Sequence, residues 1–194
     1  MAFNVTDFRA ALVGDGARPN LFMVTLAFPA IAGAAGSTAG SKVSFMAKSS
    51  QLPGSTVGVV PMYYFGRELK FAGNRSFSDW TLQIVNDEDF TIRNAMETWS
   101  NAINSHLTNV RNPSALNNFQ YTVDATVTQF GKTGNTLKTY NMVGLFPTDI
   151  APIDLDWGSN DSIEEYAVTF SYQYWESNTT TYIWYLAIKS DNPR

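Results

Sequence analysis

Residues 119–128 read Phe119-Gln120-Tyr121-Thr122-Val123-Asp124-Ala125-Thr126-Val127-Thr128. The odd positions are apolar, and the even positions are polar without a single basic side chain. Because successive side chains of an extended chain point to opposite faces, this period of two describes a strand with one face for a core and one for water. The spacing predicts a two-faced antiparallel strand over 119–130. A strand of this kind is stable only beside others, so the rest of the chain should supply them.

It does so in both directions. Gly131-Lys132-Thr133-Gly134-Asn135 turns the chain into an antiparallel return over Leu137–Phe146. Pro147 and Pro152 then bracket a loop, and Ile153, Leu155 and Trp157 alternate as a short strand. Tyr166, Val168, Phe170, Tyr172 and Tyr174 continue as a long strand, and Tyr182–Ile188 is apolar on both faces. On the N-terminal side, Phe22, Val24, Leu26 and Phe28 share a face until Pro29, and Val43, Phe45 and Ala47 alternate as a second strand. The ribbon from 49 to 66 carries Pro53, Gly54, Gly58 and Pro61, which should prevent a regular sheet and leave an edge or unpaired extension. Phe77, Trp80, Leu82 and Ile84 follow, with a bulge expected near Asp79.

Two segments break the β pattern. Ile92, Met96, Trp99 and Ile103 are spaced four, three and four, which gives one apolar stripe on a packed helix. The acidic run Asn86-Asp87-Glu88-Asp89 before it supplies a cap and negative charge at the positive end of the helix dipole. Residues 30–41, AIAGAAGSTAGS, have no charge and no bulky side chain beyond Ile31, and read as a flexible loop, either for contact with a partner or as an inert insertion. The fold class expected is therefore mostly β, a sandwich or barrel with one packed helix.

The chain has 194 residues, which at about 150 per domain is one domain spanning 1–194, with a lead over 1–17 and an extension over 177–194. Thirteen Lys and Arg face 17 Asp and Glu, a net charge of −4, and no basic cluster appears, which argues against affinity for nucleic acid. Charged residues are only 15% of the chain and aromatic residues 14%, a composition that excludes intrinsic disorder and points to a surface covered by another subunit. There is no cysteine, so disulfides, zinc–thiolate sites and thiol catalysis are excluded together. The N-terminus lacks the basic start and apolar core of a signal peptide, and no run reaches the roughly 18 apolar residues of a membrane span. The expectation is a protein that is intracellular when made.

No catalytic, cofactor or metal set emerges. His106 is the one histidine, and without a carboxylate or cysteine at metal spacing it reads as a packed or helix-end residue. Gly131-Lys132-Thr133 resembles the end of a phosphate loop, but that motif needs glycine at position 126, where Thr126 stands. Asp149, Asp154, Asp156, Asp161, Glu164 and Glu165 form a second acidic region without the spacing of a calcium loop. Tyr172, Tyr174, Trp175, Tyr182 and Trp184 could stack sugars, as in a carbohydrate-binding β-sandwich, or could be buried in the core or at a subunit contact.

An ordered set of short motifs carries a resemblance. Arg18-Pro19-Asn20-Leu21-Phe22, Gln51-Leu52-Pro53-Gly54-Ser55, Tyr64-Phe65-Gly66-Arg67, Gly73-Asn74-Arg75-Ser76-Phe77 and Asn86-Asp87-Glu88-Asp89 occur in that order. Phe146-Pro147-Thr148-Asp149-Ile150, Leu155-Asp156-Trp157 and Ser171-Tyr172-Gln173-Tyr174-Trp175-Glu176 complete it. The set, over roughly residues 18 to 176, resembles the major tail tube proteins of contractile-tailed bacteriophages. The stretch 30–41 and the tail after Glu176 depart from the pattern.

The resemblance implies a structural virion protein without enzymatic activity or cofactor, present in the host cytoplasm during assembly. It implies rings of six β-barrel-like subunits, stacked into a hollow tube that conducts DNA when a sheath contracts. The implied partners are further copies, the tail sheath protein, and the baseplate and tail terminator proteins, with DNA passing through the lumen without specific binding and no membrane insertion by the subunit. The tube component of a bacterial contractile injection machine is the alternative within the same class. On this reading the polar face Gln120, Thr122, Asp124, Thr126 and Thr128 is expected to face the lumen, because a wall without basic residues does not trap DNA. Pro53, Gly54, Val57, Pro61, Tyr63, Gly66 and Arg67 are expected at contacts between subunits or rings, and Ile92, Met96, Trp99 and Ile103 against the sheet.

Overall fold

A computed structural model describes residues 4–180. Its framework is seven strands: β1 (Phe22–Leu26), β2 (Ala47–Ser50), β5 (Trp80–Val85), β6 (Val123–Phe130), β7 (Thr136–Ile150), β8 (Glu165–Ser171) and β9 (Tyr174–Ser177). Two further strands, β3 (Ser55–Tyr64) and β4 (Arg67–Phe77), pair only with each other. Every ladder is antiparallel, and the path runs β1-β6-β7-β8-β5-β2, with β9 also on β7. The two ends of that path, β1 and β2, touch without forming a ladder, so the barrel is nearly closed.

β7 belongs to two sheets. Its first part lies between β6 and β9, in the four-stranded order β1-β6-β7-β9, and its last residues, Phe146–Ile150, pair with β8. The change of partner occurs at Gly144, whose φ of +68° suits glycine and where a Cβ would stand 2.9 Å from the Gln173 Cγ. Pro147, expected at the start of a loop, lies inside β7, while the segment expected as a strand around Ile153, Leu155 and Trp157 is irregular. The long strand expected through Tyr174 is divided into β8 and β9 because the chain steps from one sheet to the other near Tyr172 and Gln173.

The apolar stripe at four, three and four forms α3 (Thr91–Ile103), with Ile92, Met96 and Trp99 buried and Ile103 packed at the rim of the core. Trp99 is the centre of that packing. It meets the Phe28 ring edge-on at 5.8 Å, lies 6.3 Å from the Phe170 ring, and donates its indole N–H to the Tyr121 carbonyl at 2.7 Å. The cap differs from expectation: Phe90, in the left-handed region at φ 52°, is the N-cap, and the Asp89 carboxylate accepts from the Thr91 N–H at 2.9 Å.

The single-helix expectation is corrected. Residues 30–41 are not a flexible loop: a 3-10 turn over Ala30–Ala32 leads into α2 (Ala34–Met46), which takes in Val43 and Phe45 as well. Alanine is the strongest helix former, and the buried stripe of α2 is made of Gly36, Ala39 and Val43, residues small enough for close packing. A Cβ on Gly36 would stand 3.0 Å from the Phe28 Cβ, so the absence of side chains there is what lets the helix seat. Short helices α1 (Val5–Ala11) and α4 (Asn118–Tyr121) are the other α-helices of the described residues. Lys42 of α2 ties the two long helices together through Asp87, at 2.8 Å, and Asp89.

Two outcomes follow from this packing. Trp99→Ala removes a fully buried indole and strands the Tyr121 carbonyl, so chemical denaturation should show a loss of about 3–5 kcal/mol. Hydrogen bonding to Lys42, then to Thr91, holds the Asp89 carboxyl well below its ordinary 3.8. A depressed folded value contributes stability above the ordinary value that disappears as the pH falls through the folded one. The difference in midpoint between the chain and Lys42→Met should therefore be largest near pH 7 and shrink on acidification below the carboxylate range. A difference that stays constant to low pH would remove the Asp89 pair from the account.

Candidate functional site

Two surfaces stand apart from the core. The first is the outer face of the β1-β6-β7-β9 sheet. Register carries one row across all four strands: Thr25 lies opposite Thr126, Thr126 opposite Asn141, and Asn141 opposite Glu176. The next row is Met23, Thr128 and Thr139, in which the two threonine hydroxyls meet at 3.4 Å. Asp124 continues the face and accepts the Gly144 N–H at 3.1 Å. The opposite face of the same strands carries Val24, Leu26, Ala125, Val127 and Met142 into the core, with α2 and α3 on that side. The residues named on the outer face are hydroxyl, amide and carboxylate groups with one methionine, Val143 opposite Tyr174 adds an apolar pair two positions away from Asn141 and Glu176, and none of them is basic.

Of the five residues expected on this surface, Asp124, Thr126 and Thr128 lie on it. Gln120 and Thr122 do not. The chain is helical through Tyr121: the Gln120 side chain accepts from the Asn117 N–H at 3.0 Å, and the Thr122 hydroxyl donates to the Asn118 carbonyl at 2.8 Å. These local hydrogen bonds compete with the strand and win for one turn. Thr25, Thr139, Asn141 and Glu176 join the face through pairing alone.

The second surface is the β3–β4 hairpin. The irregularity expected of it is corrected: the ladder runs from Ser55 opposite Phe77 to Tyr64 opposite Arg67, with one shift between Val57 and Val59. Pro61 fits because the strand is paired on one side only, and its partner is Lys70. Phe65 and Gly66, with φ of 46° and 78°, make the tight turn at the tip. Cross-strand pairs sort the two faces. Val60 with Phe71 and Met62 with Leu69 make an apolar face, whereas Pro61 with Lys70 and Tyr63 with Glu68 make a mixed one. Every residue of β3 is exposed, Tyr63 at 71%, and Phe65 at the tip is 92% exposed, which is far from what a solitary ribbon tolerates in water. Val57 and Arg67 lie on this ribbon opposite Arg75 and Tyr64, and Pro53 and Gly54 form its root, where the Gly54 carbonyl accepts the Trp175 indole N–H at 3.0 Å.

The remaining sequence candidates have structural surroundings. Asp87 and Asp89 hold Lys42, Glu164 accepts from Asn86 at 2.9 Å, and Glu165 pairs with Lys48 at 2.6 Å. Gly131-Lys132-Thr133 lies in the β6–β7 turn, and His106 is exposed beyond α3. Tyr172 is buried beside Phe77, and that burial pushes its hydroxyl pKa up. Trp175 packs edge-on to Tyr140 at 5.3 Å. These two are consumed in packing, so a sugar platform loses its centre; Tyr182 and Trp184 lie outside the described residues. Among the described residues no three His, Asp or Glu side chains converge as a metal cluster.

Comparison with known proteins bears on the family and the fold. A family described as "Phage tail tube protein" matches residues 17–178. The tail tube protein gp19 of Enterobacteria phage T4 is 31% identical over 169 residues, 87% of this chain and 96% of that protein. The tail tube protein of Serratia phage KSP90 is 27% identical over 87% of this chain and 93% of its own. Among solved structures, a chain of the anti-feeding prophage tube-terminating cap superimposes with a TM-score of 0.59 at 19% identity, covering 83% of this chain and 89% of that one. A chain of the sheath–tube complex of an extracellular contractile injection system gives 0.53 at 17% identity, over 91% and 98%. At such identities these two likenesses speak for the fold.

Proposed function

The chain belongs to the phage tail tube protein family, and from that premise we propose that it is the subunit of a phage tail tube, a structural part of the virion tail that forms rings of six, stacks them and conducts DNA through the lumen. One observation carries the reading. The β1-β6-β7-β9 sheet has a largely polar face, with Met23, Val143 and Tyr174 as apolar members and no basic residue among those named, and ends in two strands, β1 and β9, that each have one ladder among the described residues. Joining β9 of one copy to β1 of the next extends the sheet and closes a ring when the rotation is sixfold. The outer face then lines the lumen, and α2 and α3 stand outside it.

A wall of Thr25, Thr126, Thr128, Thr139, Asn141, Asp124 and Glu176 suits that lumen. DNA carries about one negative charge per 1.7 Å, and clustered cations would hold it by counterion release. Hydroxyls and carboxylates offer it no such grip. The hairpin, with Val57, Pro61, Tyr63, Gly66 and Arg67, reaches a neighbouring subunit, and the single unit 1–194 needs neither cofactor nor catalysis for this work. Sheath, baseplate and terminator proteins are the partners that such a tube requires, and assembly takes place in the host cytoplasm. The tube of an injection machine would use the same fold; the identity to gp19 favours the phage.

Negative-stain microscopy of the purified chain, alone and with a tail initiator complex, tests the assembly: sixfold rings and tubes are expected, and a monodisperse monomer under both conditions would end the proposal. For the lumen, Asp124→Lys with Thr126→Lys and Asn141→Lys should leave rings intact and slow DNA delivery, most strongly at low salt. Delivery unchanged at every ionic strength would place that face elsewhere.

A further inference from the structure

The hairpin and the loop 151–164 lie at opposite ends of one sheet. β5 begins at Trp80, just after the hairpin closes at Phe77, and ends at Val85; its partner β8 begins at Glu165, just after the loop, opposite Val85, and reaches Phe170 opposite Trp80. The length of β5, six residues at roughly 3.3 Å each, therefore separates hairpin root from loop.

The two ends also differ in charge. The hairpin carries Arg67, Lys70 and Arg75 against Glu68. Segment 151–165 carries Asp154, Asp156, Asp161, Glu164 and Glu165 and no basic residue. Glu164 and Glu165 are engaged with Asn86 and Lys48, whereas Asp154, Asp156 and Asp161 are exposed and take part in none of the ion pairs of the described residues. Arg67 and Lys70 likewise have no ion pair there. Both ends expose apolar side chains: Tyr64 and Phe65 on the hairpin, and Leu155 at 80%, Trp157 at 101% and Ile163 at 72% on the loop.

We infer that loop 151–164 of one copy is the receptor for the β3–β4 hairpin of the copy in the adjoining ring, with Arg67 and Lys70 against Asp154 and Asp156 and the aromatic tip against Leu155 and Trp157. This rests on the tube reading and adds to it the partner surface of the hairpin. A cationic, aromatic projection at one end and an anionic, apolar receptor at the other form a head-to-tail contact, which propagates from ring to ring. Charge complementarity sets the register, and the apolar contact supplies the burial.

Charge reversal separates the possibilities. Full-length protein is assembled on a tail initiator complex and the tubes are pelleted and counted in negative stain. Arg67→Glu with Lys70→Glu, and separately Asp154→Lys with Asp156→Lys, should each lower the tube yield about ten-fold, and the four substitutions together should restore most of it. Circular dichroism and ring formation by each variant establish that its fold is retained. Asp154→Asn with Asp156→Asn, which repels nothing, should give an intermediate yield and a weaker dependence on salt. If the loop variants assemble like the unaltered chain, or the combined variant is no better than either parent, the loop is not the receptor, although the tube reading stands. If the unaltered chain forms no tubes, the tube reading falls and this inference with it.

Discussion

A single strand that serves two sheets is the constraint on which the remaining structure depends. With β7 divided at Gly144, one half is flanked by β6 and β9 and the other by β8, so the two sheets share a spine and enclose one core. Trp99, Phe170, Met142 and their neighbours fill the space between them. Once that space is filled, the second face of the β1-β6-β7-β9 sheet is left to meet water, and its composition is free to serve another purpose. A side chain at position 144 would press on Gln173 and shift β9, the edge strand, relative to the remainder of the face.

Most strands were legible because burial on one face leaves a period of two. Val24 and Leu26, Trp80, Leu82 and Ile84, and Tyr166, Val168 and Phe170 are all buried as their alternation requires. Helix α3 was legible for the same reason at a period near 3.6. Helix α2 was not, since its buried stripe is Gly36, Ala39 and Val43, and small residues create little contrast between a packed face and a wet one. A pattern reader sees low complexity where the structure uses small size. The error at Gln120 and Thr122 is different in kind: the alternation continues through them, but a local turn held by Asn117 and Asn118 takes the backbone first.

The polar face shows a third limit. Asp124, Thr126 and Thr128 could be picked from one strand, yet their neighbours Thr25, Asn141 and Glu176 come from three others, brought together by register. Local sequence encodes which face a residue takes, but which residues share a row depends on pairing between distant segments. The hairpin, expected to be irregular, is a regular ribbon over nearly its whole length. Pro61 is compatible with a regular ribbon because one edge of that ribbon has no ladder to lose.

The placement of hairpin and loop at opposite ends of β5 gives the subunit a top and a bottom. Any column of copies joined through those ends is directional, with hairpins bare at one terminus and loops at the other. Its two termini are chemically unlike, one cationic and aromatic, the other anionic. A factor that starts such a column must therefore differ from one that stops it, and length has to be imposed from outside, because each added layer presents the same terminus as the layer beneath it.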